Sequence, residues 1–252
     1  MLRLLKALPL ALAIAALSIV ATSCSSNGTH ARFVNAIQDT SHYGADNGGA
    51  LNVEVNGVQQ FTGVTFGTPG SGYIGLSSGN VTFEGFESPG VTTPVFTDST
   101  TLNGGTDYTL VATGFSANTV VFLSFSDHNT APNNGYVNFR VINASPNSPS
   151  GVDIWILLAP VATTPPPPAP MISNLAYQSS SGYITVPYNS GGGGFQVFVN
   201  THNGGQIFNY NVATNGGLTS ASICTLVLED NANGSSMSFR PVVLNDLNCA
   251  TN

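Results

Sequence analysis

The stretch VNFRVINASP at 137–146 places an arginine within a strand-like apolar run, and it has two echoes in the chain. HARFVNA at 30–36 precedes it, and MSFRPVVLND at 237–246 follows it. Such recurrence indicates either a functional site used repeatedly or a strand that opens a repeated module. We favour the second interpretation, because the repetition extends well beyond the arginine.

The repetition continues in the same order along the chain. SGYIGL at 71–76 returns as SGYITV at 181–186, and TLV at 109–111 returns at 225–227. These matches predict two tandem modules, at 31–130 and 136–252, divided near 130–135. The residues predicted to be structural and equivalent between repeats are Arg32, Arg140 and Arg240, Asn35 and Asn143, and Asp127 and Asp230. For the arginines we expect pairing with an acidic neighbour, on an edge strand or in a buried ion pair, in preference to a ligand clamp.

Apolar and polar residues alternate within each module, which is the period of a β-strand. Leu51, Val53 and Val55 alternate with polar residues, and Asn56-Gly57 then supplies a hairpin turn. About seven such runs per module predict an all-β fold of two antiparallel, immunoglobulin-like β-sandwiches, with an up-and-down barrel as the alternative. The proline-rich run at 163–170 is interpreted as a stiff loop inserted in the second module.

The N-terminus has the features of an export signal. Arg3 and Lys6 precede an apolar run at 7–20, and Ala21-Thr22-Ser23-Cys24 follows it. The stretch resembles a bacterial lipoprotein signal, which implies cleavage after 23, lipidation of Cys24 and a short tether at 24–30. The alternative is ordinary signal cleavage nearby with Cys24 left as a free thiol. We expect a protein anchored by lipid to the cell envelope, on either face of the outer membrane.

Charge excludes some classes of partner. Removal of 1–23 takes away Arg3 and Lys6, so the mature chain carries 3 − 12 = −9 formal charges. A chain with three arginines and no lysine cannot neutralise phosphates, so no nucleic-acid binding is expected. The same lack of basic residues argues against docking on anionic lipid.

Two cysteines remain besides Cys24. Cys224 and Cys249 are most simply explained as one disulfide in an oxidising compartment, with a metal site as the alternative. Tyr108 follows a turn at 103–106 and is predicted to bond back to it, as in the tyrosine corner of sandwich proteins. At an offset of 116 residues Tyr108 corresponds to Cys224, so the disulfide is predicted to replace that contact in the second module.

The pattern of an arginine, an apolar pair, Asn-Ala-Ser-Pro and then Val-Asp-Ile-Trp-Ile resembles the domain-of-unknown-function 4397 family. RVINASPNSPSGVDIWI at 140–156 matches best, and the resemblance covers nearly the whole mature chain. The first module departs from it, with Ile37-Gln38 in place of Ser-Pro and an insertion after it. The resemblance implies bacterial, exported β-sandwich modules, often in tandem on lipoproteins, with no catalytic residues to transfer.

The motifs of common enzymes are missing, so no catalytic residue, no cofactor and no metal site is predicted. Two acidic turns, around Asp46 and around Glu229-Asp230, could hold calcium weakly at best, because each supplies few carboxylates. The function expected is non-catalytic binding or adhesion to a glycan or a protein, and the alternatives are a structural spacer or assembly subunit and, less favoured, a hydrolase. Tyr43, Tyr188 and Tyr210 are candidates for stacking on sugars, with a place in the hydrophobic core as the equal alternative.

Overall fold

The computed structural model describes residues 28–38, 49–68, 70, 72–148, 150–158, 169–188, 194–204, 207–213, 218–230 and 239–249. These residues form sixteen β-strands and one short 3-10 helix, Ala117–Thr119. The strands are β1 Thr29–Ile37, β2 Ala50–Val55, β3 Val58–Val64, β4 Ile74–Leu76, β5 Gly79–Ser88, β6 Phe96–Leu102, β7 Asp107–Gly114, β8 Val121–Asp127, β9 Tyr136–Asn143, β10 Val152–Leu158, β11 Ile172–Leu175, β12 Ser179–Pro187, β13 Gly194–Thr201, β14 Ile207–Ala213, β15 Ile223–Asp230 and β16 Phe239–Leu247.

The strands form four sheets whose strand orders repeat between the halves of the chain. The first half has sheets in the order β4-β1-β7-β8 and β3-β2-β5-β6. The second half has β12-β9-β15-β16 and β11-β10-β13-β14, which is the same order shifted by eight strands. In both halves the opening strand runs parallel to the seventh strand, as β1 does to β7 and β9 to β15.

The all-β sandwich prediction is therefore confirmed, with two differences in detail. The described residues of each module form eight strands, where about seven were predicted. The strand order also differs from that of immunoglobulin constant domains, where the first, second, fifth and fourth strands share one sheet. Here the second and fifth strands lie between the third and sixth, while the first and seventh lie between the fourth and eighth. The predicted division near 130–135 lies between β8 and β9.

Three hydrophobic cores hold the molecule together. One lies between the two sheets of the first module and includes Phe33 and Phe83, and one lies in the second module and includes Phe139 and Phe195. The third core lies between the modules, where Val34 and other residues of the β4-β1-β7-β8 sheet meet the β12-β9-β15-β16 sheet. The four sheets are therefore stacked, with these two in the middle.

This stacking explains which strands are apolar on both faces. β7 reads DYTLVATG and β15 reads ICTLVLED, and almost every residue in both is buried. A strand of an outer layer, such as β2, is fully buried only at alternate positions. Continuous burial is expected where packed layers cover both faces of a sheet.

Two local predictions concern chain reversals and edges. Asn56 and Gly57 join β2 to β3, and both have the positive φ angles, 52° and 76°, that the favoured two-residue hairpin turn requires. β16 pairs antiparallel with β15 and completes the sheet of the second module. The proline-rich run at 163–170 lies largely outside the described residues.

Candidate functional site

Arg32 and Arg140, the repeated arginines, meet at the boundary between the two modules. Arg140 on β9 forms an ion pair with Asp127 of the first module, with Nη2 at 2.5 Å from Oδ1. Arg32 on β1 forms the reciprocal pair with Asp246 of the second module. Each arginine therefore reaches across to the aspartate of the other module, and both side chains are almost completely buried.

The Nε and Nη1 atoms of both guanidinium groups also donate hydrogen bonds. The Nε atom of Arg140 donates to Thr225 Oγ1 at 3.1 Å, and that of Arg32 donates to Thr109 Oγ1 at 3.0 Å. Each Nη1 atom donates to the backbone carbonyl of the residue before the paired aspartate, at 3.0 Å for Arg140 and 3.2 Å for Arg32.

Tyrosines from the SGYI repeat cover the arginines. The Tyr73 ring lies 4.8 Å from the guanidinium carbon of Arg32, and the Tyr183 ring lies 5.0 Å from that of Arg140. The Tyr73 hydroxyl donates to Asp127 at 2.5 Å, and that of Tyr183 donates to Asp246 at 3.2 Å. We call the eight residues of this arrangement the inter-module clasp: Arg32, Tyr73, Thr109, Asp127, Arg140, Tyr183, Thr225 and Asp246.

Electrostatics keeps the clasp charged and internally neutral. Burial acts to lower the pKa of Arg32, but the negative charge of Asp246, with smaller contributions from Tyr73 and Asp127, leaves it above its ordinary value. Burial raises the pKa of Tyr183 to about 12 and that of Tyr73 further still, so both phenols remain protonated donors. Two cations balance two anions, and their polar atoms face one another, so the arrangement is that of a structural site.

Two details of the predicted roles need correction. Arg32 and Arg140 lie on inner strands of their sheets, not on edge strands, although the expected acidic pairing is present. Asp127 lies on β8 whereas Asp230 lies on β15, so the two are not equivalent. The residue equivalent to Asp127 is Asp246, which sequence comparison missed because it aligned SFSDHN at 124–129 with VLEDNAN at 227–233.

Asp230 and the repeated asparagines organise loops. Asp230 accepts hydrogen bonds from Ser145 and from Asn147, the latter at 2.9 Å, and burial raises its pKa. Asn35 donates to the carbonyl of Val64 at 3.1 Å, at the end of β3. Asn143 donates to the carbonyl of Leu175 at 3.0 Å, at the end of β11, so the two asparagines hold equivalent positions.

Arg240, the third arginine, has a different setting. It lies on the edge strand β16, it is exposed, and its register partner on β15 is Glu229. Glu229 was expected in a turn but is fully buried within the strand, and neither carboxylate oxygen has a hydrogen-bond partner among the described residues. Burial raises the pKa of Glu229 well above its ordinary value, against the opposing effect of the positive charge of Arg240. The expected turn at Glu229-Asp230 is therefore part of a buried strand, and Asp46 lies outside the described residues.

The disulfide and the tyrosine corner are confirmed. Cys224 and Cys249 are bonded, with their Cα atoms 5.5 Å apart. The hydroxyl of Tyr108 accepts a hydrogen bond from the backbone amide of Asn103 in the preceding turn at 2.9 Å. Tyr108 directly precedes Thr109, the register partner of Arg32, and Cys224 directly precedes Thr225, the register partner of Arg140. Tyr108 and Cys224 therefore hold equivalent positions, and the disulfide stands in the second module where the first module has the tyrosine contact.

A groove with a volume of about 430 Å³ lies where the segment joining the modules meets β9 and β12. We call it the linker groove, and its lining consists of Thr130, Ala131, Pro132, Asn133, Tyr136, Asn138 and Thr185. Asn138 and Thr185 are register partners, two residues along from the Arg140–Tyr183 pair. Side chains two residues apart share a face of a sheet, so the groove continues the face that carries the clasp, beyond the end of the first module.

The aromatic side chains predicted to bind sugars are not those that the groove presents. Tyr188 packs against the core of the second module and donates to the Leu218 carbonyl at 3.3 Å. Tyr43 lies outside the described residues, and only the backbone of Tyr210, in β14, is described. Tyr136, which sequence analysis did not single out, is 42% exposed and lies in the groove.

Within the residues that the structure describes, no group of three or more His, Cys, Asp or Glu side chains is arranged to hold a metal ion. None of the helices in the described ranges is long and apolar enough to cross a membrane. Cys24 and the predicted signal lie outside the described residues.

Comparison with known proteins identifies a family but no activity. A family model described as "Domain of unknown function (DUF4397)" matches residues 29–155, from β1 into β10. No curated protein sequence matches the chain.

Three solved structures align with most of the chain at very low similarity. The first is a product complex of SpuA, a multi-modular glycogen-degrading pneumococcal virulence factor. The second is a structure describing alpha-glucan recognition by family 41 carbohydrate-binding modules from streptococcal virulence factors, and the third is the Bacillus anthracis TIE protein. Their identities are 13%, 13% and 10%, with TM-scores of 0.28, 0.28 and 0.22. The alignments cover 86%, 86% and 81% of this chain and 22%, 97% and 33% of the other chains. Scores this low do not establish a shared fold.

Proposed function

The chain belongs to the DUF4397 family of domains of unknown function, and we propose that it is an exported, lipid-anchored protein of the bacterial cell envelope that binds an envelope polymer or protein without catalysis. The observation that carries this proposal is the linker groove with its exposed Tyr136. Concave surfaces that combine an aromatic ring with a few polar groups are the usual form of binding sites. The groove volume falls within the range of roughly 300–1,000 Å³ typical of such sites.

A binding role without catalysis fits the chemistry of the groove. Its described lining has hydroxyl and carboxamide groups but no carboxylate, imidazole or thiol that could act as a base or nucleophile. The buried ionisable residues Arg32, Arg140, Asp127 and Asp246 are engaged with one another in the clasp. General acid–base work needs titratable groups that face the ligand, and the groove presents none besides the Tyr136 phenol.

The inter-module clasp favours a second candidate function, a stiff spacer. Two reciprocal buried ion pairs and the third hydrophobic core join the modules across a sheet-to-sheet interface. A lipid-anchored body of this kind would hold a partner at a fixed distance from the membrane. Spacer and binding roles are separable, because a spacer needs the clasp but does not need Tyr136.

The test uses the soluble form, residues 25–252, against an array of glycans and envelope polymers and a panel of envelope proteins, with size-exclusion chromatography alongside. We expect saturable binding to at least one of these, from a monomeric protein. A clean monomer that binds nothing would contradict the binding function and favour the spacer. Regular polymers would favour an assembly subunit.

The anchor is tested separately in the full-length chain. Metabolic labelling with a fatty acid should label the wild-type protein and place it in the membrane fraction, because two or more acyl chains hold a protein stably on a bilayer. Cys24→Ser should be unlabelled and should leave that fraction. Equal labelling of the two proteins would contradict lipidation at Cys24.

A further inference from the structure

We infer that the linker groove takes a neutral glycan, with one sugar ring lying against the face of Tyr136. This inference rests on the proposed binding function and names its ligand class. A sugar ring presents an apolar face of C–H groups and a rim of hydroxyl groups. A matching site needs an exposed aromatic face with neutral hydrogen-bonding groups close to it.

Charge selects a neutral ligand. No side chain of the groove lining carries a formal charge, since the polar ones are Thr, Asn and Tyr. An anionic polymer would find no arginine or lysine here, and the mature chain, with −9 formal charges, would repel it. A cationic ligand would find no carboxylate in the lining to pair with.

The hydrogen-bonding groups next to Tyr136 leave a donor free. The Thr185 hydroxyl donates to Asn138 Oδ1 at 2.8 Å, which fixes the orientation of the carboxamide. The Asn138 amide nitrogen makes no hydrogen bond to any described residue and is therefore available to a ligand hydroxyl. Thr185 Oγ1 keeps acceptor capacity, because a hydroxyl can accept while it donates.

The groove is held in shape before any ligand arrives. The Gly135 carbonyl accepts from the Tyr188 amide at 2.8 Å, and the Tyr136 carbonyl accepts from the Ala221 amide at 2.8 Å. The Tyr136 amide closes the adjoining turn by donating to the Asn133 carbonyl at 3.2 Å. A site whose backbone is fixed on both sides loses less conformational entropy when it binds.

The equivalent place in the first module is built differently. His30 and Gly75 are register partners there, in the positions of Asn138 and Thr185 in the second module. His30 Nδ1 lies 2.9 Å from a carboxylate oxygen of Asp107, so this place presents an imidazole engaged with a carboxylate and lacks the hydroxyl. The structural frame is duplicated but the groove chemistry is not, so we expect one glycan site per chain, in the second module.

The experiment is isothermal titration of the soluble form, residues 25–252, with neutral tri- to hexasaccharides of hexose and N-acetylhexosamine, and with a uronic-acid oligosaccharide of the same length. We expect saturable binding of at least one neutral oligosaccharide with a stoichiometry of one, and none of the uronic acid. Tyr136→Ala should weaken binding about tenfold or more through loss of the stacking surface, and Tyr136→Phe should keep most of the affinity.

Phe115→Ala is the matched control, because Phe115 is 46% exposed but lies outside the groove, after β7 of the first module. It should bind like wild type, and thermal unfolding of all three variants will separate loss of binding from loss of fold. If Tyr136→Ala still binds the neutral oligosaccharide like wild type, or if Phe115→Ala weakens that binding as much as Tyr136→Ala does, the proposed site is wrong while the binding function stands. Equal binding of the uronic acid would overturn the neutral class. Binding to an envelope protein with none to any oligosaccharide would overturn the glycan inference alone, and no binding at all would overturn both proposals.

Discussion

Breaking the ion pair between Arg140 and Asp127 should destabilise the whole protein. Arg140→Met keeps the length of the side chain but removes the guanidinium group, and Asp127 then keeps only Thr109, Tyr73 and the more distant Arg32, 3.9 Å away, as partners. Loss of one partner from a buried pair costs about 3–5 kcal/mol. Because some partners remain, we expect the lower end, about 3 kcal/mol.

The double variant shows whether this cost belongs to the pair. Asp127→Asn alone should cost about as much as Arg140→Met, since it leaves the guanidinium buried without its counter-charge. If the residues act as a pair, the double variant should cost about 3–4 kcal/mol, not about 6, which is a coupling energy of roughly 2–3 kcal/mol.

Urea unfolding of residues 25–252 with the disulfide intact measures these free energies. Fluorescence of Trp155, the single tryptophan and a buried residue of the second module, reports that module, and far-UV circular dichroism reports the whole chain. Glu54→Gln is a matched surface control, because Glu54 faces another glutamate, Glu84, across the strands. It should change stability by less than about 0.5 kcal/mol. Additive costs, or an Arg140→Met protein as stable as the Glu54→Gln control, would refute the reasoning.

Three further predictions concern single features of the fold. Replacing Cys224 and Cys249 together by alanine should lower stability by about 3 kcal/mol, because the bond closes a 25-residue separation, and urea unfolding that matches wild type would contradict this. Tyr108→Phe should cost about 1 kcal/mol by removing the hydrogen bond to the turn, and a loss of under a few tenths in the same assay would count against the tyrosine corner. Because burial raises the pKa of Glu229, the native state keeps a proton that the unfolded chain releases, so its contribution to stability should be full below about pH 4.5 and be lost as pH rises through the folded pKa. Urea unfolding measured from pH 4 to pH 9 should show a smaller decrease in the free energy of unfolding for Glu229→Gln than for wild type. An unchanged pH profile would show that Glu229 does not cause the decrease.

Much of the fold could be predicted from the sequence because it depends on local patterns and internal repetition. Alternation of apolar residues identified β2, Asn56-Gly57 identified the turn after it, and the RFVNA and SGYI repeats identified two modules. The tyrosine corner followed from the turn before Tyr108, and the disulfide followed from an isolated pair of cysteines in an exported chain. These features involve residues near in sequence or related by a nearly constant offset.

The inter-module contacts could not be predicted in this way. Pairing of Arg32 with Asp246 depends on how the sheets of two modules stack, and neither periodicity nor composition specifies that arrangement. The buried Glu229 was misread as a turn residue, because Asp and Asn beside it are common in turns, whereas tertiary packing places it within a strand. The exposure of Tyr136 likewise depends on where the first module ends.

The inter-module clasp and the third hydrophobic core should join the two modules into one cooperative body. Differential scanning calorimetry of residues 25–252 tests this directly. We predict one transition in which the calorimetric enthalpy equals the van 't Hoff enthalpy, because the third core and the clasp must break together. Two transitions, or a calorimetric enthalpy near twice the van 't Hoff value, would show that the modules unfold independently and would contradict the account.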